Sequence, residues 1–222
     1  MKIKNLIFVL MALFLVSCGG NESEYIDKIQ LGGEIRDAYF AQKEGDLYKV
    51  QNVNFFEEAL FKVDQNGKVG VILFQKNYIA DMDNIESILK GLKTDVSDFE
   101  RALIEKWDGD VFLNGGMSLS ENVELAIRSL GLPKTTNLET EPLFNAGEIL
   151  EQGVVSILNI KSKVVDSIRL NTSSEIVRKT KGQTYDNNEL SINFSVMYIG
   201  NAYSKELSKL DKSESLKKTS GF

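Results

Sequence analysis

A single cysteine, Cys18, occurs among the 222 residues, so no disulfide can form within the chain and no thiolate cluster can hold a metal. Whatever folds here must be held together by burying apolar side chains. The material is present: 42% of the residues are hydrophobic and 12 are phenylalanine, enough for a sizeable core in a chain of this length. Histidine is absent altogether. That excludes Ser-His-Asp and Cys-His catalysis, histidine general bases and histidine-ligated zinc.

The lone cysteine ends a patterned N-terminal segment. Lys2 and Lys4 precede Leu6–Val16, eleven consecutive apolar residues, and Ser17-Cys18 follow. A membrane-spanning helix needs about twenty such residues, so the run fits the hydrophobic region of a signal peptide instead. Leu15-Val16-Ser17-Cys18, with Gly19-Gly20 after it, resembles the lipobox of bacterial lipoproteins. The resemblance covers about twenty residues and implies cleavage before Cys18, a diacylglyceryl group on its thiol and a further fatty acid such as palmitate on the new amine. Two or three acyl chains give stable anchoring, whereas one is marginal. The expected division is therefore a signal peptide over 1–17, a lipidated tether over 18–24, a globular domain over 25–203 and a polar tail over 204–222. Gly19 stands where Asp would resemble an inner-membrane retention signal, which favours the outer membrane in a cell that has one.

Removing residues 1–17 takes away Lys2 and Lys4 but no acid, and moves the net charge from −6 to −8. An acidic surface disfavours nucleic acid, whose affinity for proteins comes largely from Lys and Arg neutralising phosphates.

Beyond the tether, Tyr25, Ile26 and Ile29, then Ile35, Ala38, Tyr39 and Gln42, suggest two short helical pieces broken at Gly32-Gly33. Leu47–Val53, Ala59–Val63 and Val69–Phe74 read as strands. Asp64-Gln65-Asn66-Gly67-Lys68 between the last two predicts a hairpin, because Asn and Gly tolerate positive φ. A calcium loop would need Gly sixth and Glu twelfth counting from Asp64, and this segment has neither. Ile85, Ile88, Leu89 and Leu92 follow helical spacing, with Asp83 as cap and Glu86 three residues on. Val96, Phe99, Leu103 and Trp107 suggest a second helix opened by Thr94 or Asp95. Val123, Ala126, Ile127 and Leu130 suggest a third, with a Ser118–Glu121 capping box and a stop at Gly131.

Residues 133–147 hold both prolines and read as a long loop. Val154–Ile160, Val164–Leu170, Ile176–Thr180 and Leu190–Tyr198 read as strands of an antiparallel meander with one wet face, turning at Lys161-Ser162 and at Asp186-Asn187-Asn188. Ser204–Phe222 carries too little apolar surface to offset its ordering entropy, and reads as a frayed helix or disordered tail.

Trp107-Asp108-Gly109-Asp110 is the most site-like cluster, an aromatic platform beside two carboxylates. Its simpler reading is a helix end followed by an Asp-Gly turn. Asp81 and Asp83 fit a helix start, where the dipole favours negative charge. Lys161, Lys163, Arg178, Lys179 and Lys181 are a basic group that could meet lipid headgroups or an acidic wall polymer, and more simply decorate a solvated sheet face. The serines lack catalytic context, and neither Gly32-Gly33 nor Gly115-Gly116 belongs to a phosphate-binding loop.

The sequence thus predicts a single α+β domain, an antiparallel sheet with three central helices. It assigns no catalytic, cofactor-binding or metal-binding residue and one modification site, Cys18. The leading expectation is a membrane-anchored envelope lipoprotein that binds an envelope protein or wall component. One alternative is a glycan hydrolase using two of Asp108, Asp110, Glu139 and Glu141 across a cleft. The other is an inhibitor or immunity-type lipoprotein with an exposed patch of interface size.

Overall fold

The computed structural model describes residues 24–27, 29–35, 42–135, 139–181 and 184–209, and for 52, 178–181 and 184–187 the backbone only. The expected signal peptide, Cys18 and residues 210–222 of the expected tail lie outside the described residues. So does most of the second short helical piece expected before Gln42.

The chain builds two antiparallel meanders and joins them at their long inner strands. The first comprises β3 (Gln42–Glu44), β4 (Leu47–Val53), β5 (Phe56–Val63) and β6 (Val69–Ala80). The second comprises β7 (Asp110–Leu113), β8 (Val154–Leu158), β9 (Val165–Lys181) and β10 (Thr184–Gly200). β10 pairs with both β9 and β6, giving one eight-stranded sheet in the order β3-β4-β5-β6-β10-β9-β8-β7. Three helices intervene: α1 (Ile85–Lys106), α2 (Leu119–Ser129) and α3 (Glu141–Leu150). A fourth, α4, covers residues 201–209. Among the described residues the fold is thus four helices with a large antiparallel sheet, and no helix there is long and apolar enough to cross a membrane.

Alternation decides the faces. Leu190, Ile192, Phe194, Val196 and Tyr198 of β10 are buried with Ile168, Leu170 and Thr172 of β9, and with Ile72 and Phe74 of β6. The buried residues of α1 (Ile85, Leu89, Leu92, Val96 and Leu103) join them in one continuous core. Phe56, Phe74, Phe99 and Phe194 form its aromatic centre, with ring centroids 5.0–6.0 Å apart, the spacing at which aromatic pairs attract beyond simple burial. The other face of β10 carries Ser191, Asn193 and Ser195, as its alternation predicts. Asn193 there donates from Nδ2 to Asn77 Oδ1 on β6 at 2.9 Å.

The structure corrects several expectations. The two helices expected over 85–92 and 95–107 are one helix of 22 residues. Thr94 and Asp95 do not cap it because their side chains are engaged elsewhere. The Thr94 hydroxyl donates to the Lys90 carbonyl at 3.1 Å, and Asp95 accepts from Lys76 Nζ at 3.0 Å and Tyr78 Oη at 2.6 Å. Asn84, not Asp83, is the N-cap of α1. Asp81 holds the turn that leads into it, its carboxylate accepting the amides of Asp83 and Asn84 and its carbonyl the Ile85 amide.

Helix α3 occupies part of the expected 133–147 loop. Pro142 is tolerated in its first turn, where no intrahelical amide is lost. Leu143, Ala146, Gly147 and Leu150 give it a buried face. Instead of a helix, Tyr25–Ile29 forms a two-stranded hairpin, β1 (Glu24–Ile26) with β2 (Ile29–Leu31), bonded to Val69 through Gly32 and Gly33. The turn expected at Asp186-Asn187-Asn188 lies inside β10, and the reversal falls between Lys181 and Thr184. The tail begins as helix through residue 209.

The Asp64–Lys68 hairpin is present, but only Gly67 has positive φ, at 74°. Asp64 Oδ1 accepts the amides of Asn66 and Lys68 at 2.8 and 2.9 Å, an Asx-type turn that fixes the loop. The Ser118–Glu121 capping box forms as read from the sequence.

Candidate functional site

The Trp107–Asp110 cluster joins a helix end to a sheet edge. Trp107 is the C-cap of α1 and is buried, with Lys106 Nζ 4.5 Å from its ring centroid. Asp108 is exposed and holds Lys161 Nζ at 2.7 Å, while its carbonyl accepts the Lys161 amide at 3.0 Å. The Asp108 hydrogen bond and charge raise the Lys161 pKa. Asp110 accepts from Asn159 Nδ2 at 2.7 Å, and Asn159 is in the left-handed region at φ 52°. These bonds pin the turn after β8 to the start of β7.

Glycine is required between the two aspartates. A Cβ on Gly109 would stand 2.7 Å from the Leu158 carbonyl oxygen and 3.0 Å from Ile157 Cγ2. The backbone cannot yield as a side-chain tip would. Gly109→Ala is expected to cost about 1–3 kcal/mol, the usual penalty of overpacking. It should also speed amide exchange in β7, because β7 must move off β8. Denaturant unfolding and hydrogen exchange check this, and a stability within ~0.5 kcal/mol of the parent rejects it.

The other two carboxylates considered for hydrolysis stand before and at the start of α3. Glu139 is exposed. Glu141 is buried and accepts the Thr135 amide at 2.8 Å and the Thr135 hydroxyl. Lys161 is engaged with Asp108, Lys163 is exposed, and the side chains of Arg178, Lys179 and Lys181 lie outside the described part. A shallow, open cleft of about 520 Å³ runs between α1 and α2, lined by Lys90, Lys93, Asp98 and Glu124 among others. Two of its charges close on each other, Lys93 on Glu124 at 2.8 Å. No group of three or more metal-ligating side chains occurs among the described residues.

Two acids carry structural roles that the sequence reading did not assign them. Glu100, on the buried stripe of α1, accepts the amides of Leu119 and Ser120 at 3.3 Å each and so closes the N-terminus of α2. Asp95 gathers Lys76 and Tyr78 at the same face of the sheet. Burial, then the Asp95 hydrogen bond and charge, push the Tyr78 phenol well above its ordinary pKa. Nothing in the local pattern of either residue signals a distant partner.

The feature most suited to function is strand β7. Sheet order leaves β3 and β7 as the two edges. β3 reads Gln-Lys-Glu and is exposed, an edge blunted by charge. β7 reads Asp-Val-Phe-Leu and is exposed throughout: Val111 at 39%, Phe112 at 53% and Leu113 at 38%. Among the described residues no strand pairs with its outer side. An apolar edge strand with free backbone donors and acceptors is a template for another strand. The sequence reading missed β7. Its signal was three large apolar residues in a row between Asp-Gly and Asn-Gly-Gly, a short run bounded by turn formers. Neither known protein families, curated proteins nor solved structures provide a match to this chain.

Proposed function

We propose that this chain is a membrane-anchored binding module of the bacterial envelope. Lipid on Cys18 holds it to a bilayer, and the edge strand β7 takes up an extended strand of a protein partner. The observation that carries the reading is the contrast between the two sheet edges, charged at β3 and apolar at β7. Backbone pairing would supply affinity, and Val111, Phe112 and Leu113 would select apolar side chains at alternate positions of the incoming strand.

A photo-crosslinking residue at position 112, compared with one at position 43 on the charged edge, tests this in intact envelopes of cells producing the full chain. Position 112 is expected to give adducts that map by mass spectrometry to one defined extended segment. Position 43 is expected to give none of that segment. No adduct at 112, or the same adducts at both edges, overturns the reading.

A further inference from the structure

The side chains of β7 constrain what kind of strand can pair with it. Directly opposed residues of an antiparallel ladder project from the same face of a sheet. Val111 opposes Ile157 and Leu113 opposes Val155, and both partners are fully buried beneath the helices. Phe112 opposes Ser156, which in turn opposes Arg169, on the other face. Val111 and Leu113 therefore lie on the helix-covered face and Phe112 on the open one.

We infer that the strand which occupies this edge is β7 of a second copy of the chain, running antiparallel about a two-fold axis normal to the sheet at Phe112. The inference rests on the strand-capture reading above. Such an axis keeps each face on its own side, so only registers that match like faces are allowed. Centred on Phe112, the register sets Phe112 against the partner's Phe112 on the open face. On the helix face it sets Val111 against the partner's Leu113, and Leu113 against the partner's Val111. The strand ends at Leu113, where Asn114 enters a 3-10 turn, so each Asp110 lies beyond the paired residues and the two carboxylates do not face each other. The neighbouring allowed register, centred on Val111, places Asp110 against the partner's Phe112 and Gly109 against the partner's Leu113. It keeps one of the three apolar pairs and sets a carboxylate against each ring, and the register centred on Leu113 likewise keeps one and sets each Phe112 against Asn114. The segment is thus self-complementary in one register, as an isologous interface requires.

The contact is small. Three paired residues a side bury far less than the ~1,200–2,000 Å² of a standard interface, so the pair is weak between freely diffusing copies. Two copies anchored in one bilayer meet at a far higher effective concentration. Pairing therefore follows from anchoring, and joins two eight-stranded sheets into one.

Phe112→Cys and Val111→Cys, each in the full chain and each oxidised in membranes beside the unsubstituted protein, test the register. The unsubstituted protein reports any crosslink through Cys18. Opposed Cβ atoms in a ladder are about 4.5–5.5 Å apart, near the reach of a disulfide, and diagonal ones are not. Phe112→Cys is expected to give a disulfide-linked species of twice the mass in a large fraction of the protein. Val111→Cys alone should give none, and Val111→Cys produced together with Leu113→Cys should restore it. Absence of the doubled species from Phe112→Cys, or equal linking of Val111→Cys, overturns the inference. The photo-crosslink at position 112 separates the two failures. An adduct to another protein's strand leaves strand capture standing and removes the second copy. No adduct at all removes both.

Discussion

Phe194→Ala is expected to destabilise the protein by about 3–5 kcal/mol, the range for removing a buried aromatic side chain. Phe194 is fully buried on β10, the strand that joins the two meanders. It opposes Lys76 on β6 and Thr172 on β9, and its ring centroid lies 6.0 Å from that of Phe56 and 5.9 Å from that of Phe99. Truncation therefore opens a cavity where β5, α1 and β10 meet, and the regular strand on either side cannot collapse into it. Domains are stable by only about 5–15 kcal/mol, so the loss is a large share of the total. In urea unfolding with a slope of about 1–3 kcal/mol/M, the midpoint should fall by roughly 1–5 M. Phe112→Ala, at the exposed edge, should stay within about 0.5 kcal/mol of the parent in the same assay. A loss below ~1.5 kcal/mol for Phe194→Ala would mean that the aromatic centre does not organise the core as described.

Cys18→Ser is expected to abolish lipid attachment. The lipobox-like segment implies that this sulfur carries a diacylglyceryl group, and a serine hydroxyl does not replace the thiol in forming that thioether. Metabolic labelling with a fatty-acid analogue should fall to background, and mass spectrometry should find the precursor retaining Met1 in place of a protein beginning at an acylated Cys18. Each buried CH₂ of an acyl chain stabilises membrane binding by about 0.8 kcal/mol, so losing two or three chains removes the anchor entirely. Unchanged label in the variant, or an unsubstituted protein whose mature terminus bears no fatty acid, refutes the assignment and with it the concentration of copies that favours pairing through β7. The folded domain would be untouched, since Phe194→Ala and Cys18→Ser act on separate parts of the chain.

Much of the local structure was legible in the residues. Strict alternation from Leu190 to Val196 announced β10, Asp64 to Lys68 announced a reversal, and Ser118 with Glu121 announced the start of α2. Each signal lies within a few residues, because side-chain periodicity and caps are set by neighbours along the chain. The misread points were those where a distant partner decided the outcome. Thr94 and Asp95 look like helix starters, but Asp95 is held from β6, so the helix runs through them. Residues 133–147 read as a loop, yet 141–147 begin α3, and Gly147 lets that helix lie so close that Ser174 Oγ on β9 donates to its carbonyl at 2.9 Å.

By itself the sequence determined the absence of disulfides and of histidine chemistry, the patterned segment ending at Cys18, and the alternating and helical stripes that divide core from surface. Only the tertiary structure decided that β10 inserts between β6 and β9, that the charged strand and the apolar strand become opposite edges of one sheet, and that Val111, Phe112 and Leu113 stay exposed among the described residues. The reason is physical. Periodicity is a property of adjacent residues, whereas a strand's neighbours, and hence which of its backbone groups and side chains stay unpaired, depend on burial summed over the whole chain.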